Sequence, residues 1–317
     1  SNDDNDTITI ALGQDSRTHG MRLIDALARG AESRLPDGSI RVVYTGIATT
    51  PACAAFCRLL NKADAAVMVT ASHLPGDRNG LKLYTAAASG MTREDITELG
   101  VRAMVHVEAL YADGILPPSS GHDSVFCSEW VDWMPLYADT LQQAVVRKVC
   151  GVSETPDWDD PLPLRGLKIV LNPGNGAGGF FQTVLENLGA DCTCSIHLEP
   201  DGTFPHGVPN PENERMILET LQTCEQAQAD LGIMLDTDAD RCGFVVPRTV
   251  VQDETTGEIT KRSEYEPLNR NRLIALLGVV FSRSDPGSAV VTDSVTSEGL
   301  TTFLQDKLGL KHVRYLK

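Results

Sequence analysis

Over the first seventy residues, short apolar runs alternate with longer stretches whose apolar positions recur every three or four residues. Residues 7–12 read as a buried strand running into Gly13-Gln14-Asp15-Ser16-Arg17, and Leu23, Ile24 and Leu27 share one face of a helix starting near His19. Residues 40–44 predict a second strand, and Pro51 sits where a first helical turn tolerates proline. Residues 65–69 predict a third strand, which ends at Thr70-Ala71-Ser72-His73. Strand, helix, strand, helix, strand implies right-handed crossovers and a mostly parallel sheet. Ligands of such sheets bind in loops beyond the carboxyl ends of the strands, and Ser72 lies in one of those loops.

The pattern then restarts twice. A polar, proline-rich stretch at 151–163 reads as a linker. After it come a strand at 167–171, the loop Asn172-Pro173-Gly174-Asn175-Gly176-Ala177-Gly178-Gly179, and a helix through Leu188. A buried strand at 231–235 delivers Asp236-Thr237-Asp238-Ala239-Asp240-Arg241, and the polar stretch 249–264 reads as a hairpin tip or mobile loop. Near Pro267 a third unit begins, with helices predicted at 269–281 and 296–308, a strand at 289–291 and a strand-like run at 312–315. Two parallel strands cannot cover two amphipathic helices, so this unit is expected to be incomplete. The expected organisation is three consecutive α/β domains with mixed, mostly parallel sheets, spanning 1–150, 151–266 and 267–317.

The 42% apolar and 5% aromatic composition of these 317 residues suits an ordinary α/β protein. No apolar run approaches the roughly 20 residues of a membrane helix, so no membrane partner is expected. The net charge of −16 argues against a nucleic-acid partner, whose phosphates demand a basic surface. It also means that an anionic ligand would have to be met by a few cations gathered at one place. The acidic start, residues 1–6, has neither the basic nor the apolar segment of a secretory signal, and a protein that is not secreted is expected. Eight cysteines without a CxxC pair read as buried free thiols; Cys53 and Cys57 lie one helical turn apart, and Cys192 and Cys194 alternate along a predicted strand.

Asp236, Asp238 and Asp240 follow a buried strand at spacings of two. In an extended segment these positions face one side, and a modest curl brings three carboxylates together, a hard-oxygen set suited to Mg²⁺. Arg241 is placed to fork a phosphate oxygen beside the metal. A solvated acidic turn is the bland alternative, but three aspartates after such a strand repel one another without a cation. An EF-hand is excluded, because Arg241 and Pro247 stand where it needs Gly and Glu. A haloacid-dehalogenase-like phosphatase with Asp236 as nucleophile and Asp238 as acid fits this loop alone, yet leaves Ser72 without a task. Ser72 lacks the flanking glycines of a hydrolase elbow. Instead it has His73 beside it, and Arg78 and Lys82 nearby, cations that a phosphate on serine would need.

Thr70-Ala71-Ser72-His73-Leu74-Pro75 with Asn79-Gly80-Leu81-Lys82 resembles the phosphoserine loop of the α-D-phosphohexomutases. Asp236-Thr237-Asp238-Ala239-Asp240-Arg241 resembles their metal loop, and Gly13-Gln14-Asp15-Ser16-Arg17 their amino-terminal arginine loop. Pro209-Asn210-Pro211-Glu212 resembles a further signature. The four occur in the family's order. The resemblance implies α/β domains of the phosphohexomutase type and transfer of phosphate between the 1- and 6-positions of a hexose through phosphorylated Ser72. It implies Mg²⁺ on Asp236, Asp238, Asp240 and a phosphoserine oxygen, with Arg17 and Arg241 on the phosphate. Lys82 would assist proton transfer with His73, a hexose 1,6-bisphosphate would be the activator, and a hexose phosphate the substrate. Leu74, Thr237 and Gln14 stand where Asn, Gly and Arg are usual; none of these changes removes a ligand. The Leu-Pro variant of the serine loop is similar to plastid-type members, which makes cytoplasm or plastid the expected compartment. The family's later sugar- and phosphate-binding loops are not found in the 317 residues, so the piece is expected to be inactive alone. A catalytically silent phosphosugar-binding relative is the remaining alternative.

Overall fold

The computed structural model describes residues 7–32, 39–60, 63–112, 129–150, 162–252 and 259–315. The first sheet is built from β1 (Ile8–Gln14), β2 (Ile40–Ile47), β3 (Ala65–Val69), β4 (Leu81–Thr85) and β5 (Glu129–Trp130), in the order β4-β3-β1-β2-β5. All neighbours are parallel except β3 and β4. Side chains alternate across a strand, and the sheet uses both faces. Ala11, Val43 and Met68 point to one side and pack with Cys53, Phe56 and Cys57 of α2 (Thr50–Leu60). Leu12, Val42 and Val67 point to the other and pack with Ile24 and Ala28 of α1 (Gly20–Glu32). Trp133 closes the α2 side and donates its indole N–H to the Ala52 carbonyl at 2.7 Å. Helices α3 (Arg93–Ala112) and α4 (Met134–Cys150) complete this part of the chain.

Two register facts place the site. β1 runs two residues past the predicted strand, and Gln14 pairs with Val69, so β1 and β3 end side by side and release the Arg17 and Ser72 loops together. β4, a segment given no element in the sequence reading, pairs antiparallel with β3 and sets Lys82 opposite Met68.

The second sheet has the order β6-β7-β8-β9, with β6 (Ile169–Asn172) parallel to β7 (Leu231–Leu235). β8 (Cys242–Gln252) and β9 (Ile259–Pro267) form an antiparallel hairpin, so of the two readings of 249–264, hairpin tip or mobile loop, the hairpin holds, with paired strand reaching further into the segment than a tip alone. Its tip, 253–258, lies outside the described residues, as does 151–161 of the expected linker. α5 (Phe181–Asn187) follows a tight turn at Ala177–Phe180, and α6 (Glu214–Ala227) is capped by Asn213, whose side chain accepts from the Arg215 and Met216 amides. The strand expected through Cys192 and Cys194 reduces to a single bridge between Lys168 and Asp191.

In the last part, α7 (Arg270–Ser284), β10 (Ala289–Asp293), α8 (Glu298–Thr302) and β11 (Lys311–Tyr315) surround a small core of Leu300, Leu304 and Leu310. β10 and β11 are parallel and leave Val291 and Val313 at 65% and 50% exposure. Among the described residues no helix is long and apolar enough to cross a membrane.

Candidate functional site

The loop after β3 carries Ser72 in a left-handed backbone conformation, φ 52°. A serine is held there only when its surroundings over-determine it. Its amide donates to Thr70 Oγ1 at 2.9 Å, and the Thr70 hydroxyl donates to Asp15 Oδ2 at 2.7 Å. The Ser72 carbonyl accepts from Arg17 Nη2 at 2.7 Å. Its hydroxyl projects into a polar cluster, donating to Asp236 Oδ2 at 3.1 Å and accepting from Arg241 Nη2 at 3.0 Å, with His73 Nδ1 at 3.3 Å. Residues 164 positions apart in the chain thus meet at one oxygen.

The aspartate loop after β7 supplies the other half. Ala239 at φ 51° provides the curl, and the carboxylates of Asp236, Asp238 and Asp240 come within 4.8 Å of one another. Asp236 accepts from the Arg241 amide on Oδ1 and from the Arg241 guanidinium on Oδ2. Asp238 Oδ2 accepts from Thr50 Oγ1 at 2.5 Å and from Lys82 Nζ at 2.6 Å, and Lys82 also reaches Asp240 Oδ2 at 2.6 Å. Asp238 Oδ1 is buried with no hydrogen-bond partner among the described residues. A buried carboxylate oxygen without a donor is costly unless a cation meets it. The hard-oxygen donor set therefore fits Mg²⁺.

The electrostatics agree with a site short of positive charge. Burial, then the charge of Asp238, push the Asp236 carboxyl above the usual carboxylate range against the opposing hydrogen bonds from Arg241. Burial alone would lower the Lys82 ammonium, but its bonds to Asp238 and Asp240 outweigh that and raise it, so Lys82 stays protonated.

The two arginines expected on the phosphate occupy different positions. Arg241 is 37% exposed and bridges Asp236 and Ser72 with a face open to a ligand. Arg17 is sealed, its side chain 0% exposed. Its Nε donates to Asp15 Oδ2, Nη1 to the Pro75 and Arg78 carbonyls, and Nη2 to the Ser72 and Leu74 carbonyls. Five N–H donors are all committed, and Phe204 covers the guanidinium at 5.5 Å. Arg17 thus clamps the 72–78 loop in this structure. Lys82 likewise binds the aspartate loop, not Ser72.

Several contributors escaped the sequence reading. Asp15 and Thr70 buttress the serine loop, and Thr50 ties α2 to the aspartate loop by its hydroxyl and by its amide, which donates to the Asp238 carbonyl at 2.9 Å. Gly202 lets the 197–206 segment lie on the Arg17 loop, because a Cβ there would sit 2.2 Å from the Ser16 carbonyl. The arginine-loop and serine-loop motifs contain Asp15 and Thr70; nothing local marks Thr50 or Gly202.

Fold and site together define a class: an α/β chain in which loops from two successive sheets present one serine to a cluster of aspartates and an arginine. Residues 1–105 match the model of phosphoglucomutase/phosphomannomutase α/β/α domain I, and residues 149–249 match that of domain II. The chain is 31% identical over 299 residues to a phosphoglucosamine mutase of Deinococcus deserti, covering 94% of this chain and 56% of that protein. It is 32% identical over 291 residues to a phosphomannomutase of Salmonella montevideo, covering 90% and 54%. The crystal structure of a phosphoglucomutase/phosphomannomutase family protein from Burkholderia thailandensis superposes with a TM-score of 0.65 at 22% identity, over 98% of this chain and 58% of that one. The chain belongs to the phosphoglucomutase/phosphomannomutase family of α-D-phosphohexomutases. It spans just over half the length of these relatives.

Proposed function

We propose that this chain carries the phosphoserine and metal loops of a phosphohexomutase, with Ser72 as the phosphoryl carrier. The observation that carries this reading is the Ser72 hydroxyl, delivered by the first sheet and held by hydrogen bonds to Asp236 and Arg241 of the second. The sheets of the first, second and last parts are read as units spanning 1–150, 151–266 and 267–317.

In the reaction so proposed, a phosphoryl group on Ser72 Oγ passes to a free hydroxyl of a hexose monophosphate. The P–Oγ bond breaks as a P–O bond to the sugar forms, giving a hexose 1,6-bisphosphate. Return of the other phosphate to Ser72 completes the isomerisation, and added bisphosphate serves as activator. Such transfers rest on positioning and charge. Arg241 would fork an oxygen of the moving group. His73, with Nδ1 3.3 Å from Oγ, is the group placed to take or return the hydroxyl proton. Lys82, held protonated by Asp238 and Asp240, would act by its charge. Arg17 and Asp15 would keep the serine loop in shape. Mg²⁺ held by Asp236, Asp238, Asp240 and a phosphoserine oxygen would neutralise charge developing on the phosphoryl group. The substrate class is a hexose phosphate, by analogy with relatives named for mannose, glucose and glucosamine phosphates.

The test is peptide mass spectrometry after incubation with Mg²⁺ and glucose 1,6-bisphosphate. A single phosphate mapped to Ser72, absent from Ser72→Ala, supports the proposal; an unmodified Ser72, with phosphate on Asp236 instead, sinks it. Full burial of Asp236 and its commitment to Arg241 speak against the phosphatase alternative. Labelling reads the nucleophile directly, whatever length of chain full turnover requires.

A further inference from the structure

We propose a second metal site, separate from the aspartate cluster and suited to a borderline-soft dication such as Zn²⁺, formed by His197, His206 and Glu219. One nitrogen of each histidine and one carboxylate oxygen of Glu219 lie within 4.8 Å of one another. His197 Nε2 is 3.4 Å from Glu219 Oε2, and the two imidazoles stack with centroids 3.6 Å apart. Arg215 binds the other Glu219 oxygen, Oε1, at 2.9 Å, which leaves Oε2 facing the histidines. The three side chains line a cleft of about 10 Å³ that also touches Asn172, Asn213 and Met216. That is room for about one water molecule or one ion.

The donor chemistry selects the ion. Two imidazole nitrogens and one carboxylate form a three-ligand set with an open fourth position, a set that Zn²⁺ uses and Mg²⁺ does not favour.

The site has a mechanical consequence. His197 and His206 bracket a loop, and Glu219 anchors it to α6. The tip of that loop holds Gly202 against the Ser16 carbonyl and Phe204 over Arg17. A bound dication would fasten both ends of the loop that supports the serine-loop clamp.

The experiment uses the full 317-residue chain, stripped of metal with its thiols reduced, titrated with ZnCl2 in millimolar Mg²⁺ against a chromophoric Zn²⁺ chelator. One tight equivalent of Zn²⁺ is expected. His206→Gln and Glu219→Gln should each weaken it by roughly tenfold or more, with unchanged circular dichroism and urea midpoint, and X-ray absorption should report two imidazoles and no sulfur. Wild-type and His206→Gln proteins of equal affinity, sulfur in the coordination shell, loss of binding in Asp238→Asn, or no tight equivalent would each overturn the proposal.

Discussion

Replacing Arg17 by Met separates a clamp from a ligand contact. The guanidinium is fully buried beside Asp15, and Met keeps the length and apolar stem while removing the charge and all five donors. The four loop carbonyls belong to a loop whose Leu74, Pro75 and Arg78 are exposed, so a small opening of that loop returns them to water. Asp15 cannot be rescued so easily, because its carboxylate is sealed and would keep only Thr70 and one backbone amide. Breaking a buried pair by removing one partner costs about 3–5 kcal/mol. That is a large share of the roughly 5–15 kcal/mol by which a domain is stable. The cost should depend on pH in a stated direction. Burial already holds the Asp15 carboxyl above its ordinary range against the pull of Arg17. Without Arg17 it rises further, and a carboxyl raised in the folded state loses its stabilising contribution as pH climbs through the folded value. Arg17→Met should therefore be less damaging at acid than at alkaline pH, as read by urea midpoints. Asp15→Asn in the same chain should restore a large part of the loss, since the uncompensated charge is gone. A midpoint within about 1 kcal/mol of wild type at pH 8, with unchanged amide protection across 72–78, would refute the clamp. A residue that only contacts phosphate would give that result, since its removal leaves the unliganded fold intact.

Further consequences are testable in the same way. Gly202→Ala should destabilise by about 1–3 kcal/mol in urea unfolding, because its Cβ would meet backbone of the Arg17 loop, which cannot step aside as a flexible side chain would; a neutral result would mean the loops are not in contact. Burial raises the Cys53 and Cys224 thiols to about 12 and those of Cys57 and Cys192 to about 11, so all four should resist thiol reagents at pH 8 until urea unfolds the chain, while exposed Cys150 reacts at once. Mg²⁺ should raise the thermal midpoint of the wild type, by an amount equivalent to about 2.7 kcal/mol at a hundredfold excess over its dissociation constant. Asp238→Ala should abolish that shift, and a shift that survives would move the metal elsewhere.

How much of this was legible in the chain depends on the range of the forces involved. The runs at 65–69 and 231–235 are short and continuously apolar, and both are strands with the predicted ends, because a strand buried on both faces needs nothing else. Asp236, Asp238 and Asp240 sit at fixed spacings on one curl, so their gathering is a local property. The extent of β8 and β9 was hard to read because both carry polar residues such as Arg248 and Glu266, and the arms are held by cross-strand pairing. The same holds for β4, where Lys82 and Tyr84 mask a strand recruited by its neighbour. The roles of Arg17 and Lys82 could not be read from spacing either. Whether a guanidinium meets a phosphate or four carbonyls depends on how deep its loop lies, and that depth is set by Gly202 and Phe204, more than 180 residues away in the chain. Local pattern and spacing are written in the sequence because they act between near neighbours. Burial, partnership and charge state at the site arise only when two sheets and their loops close on one another.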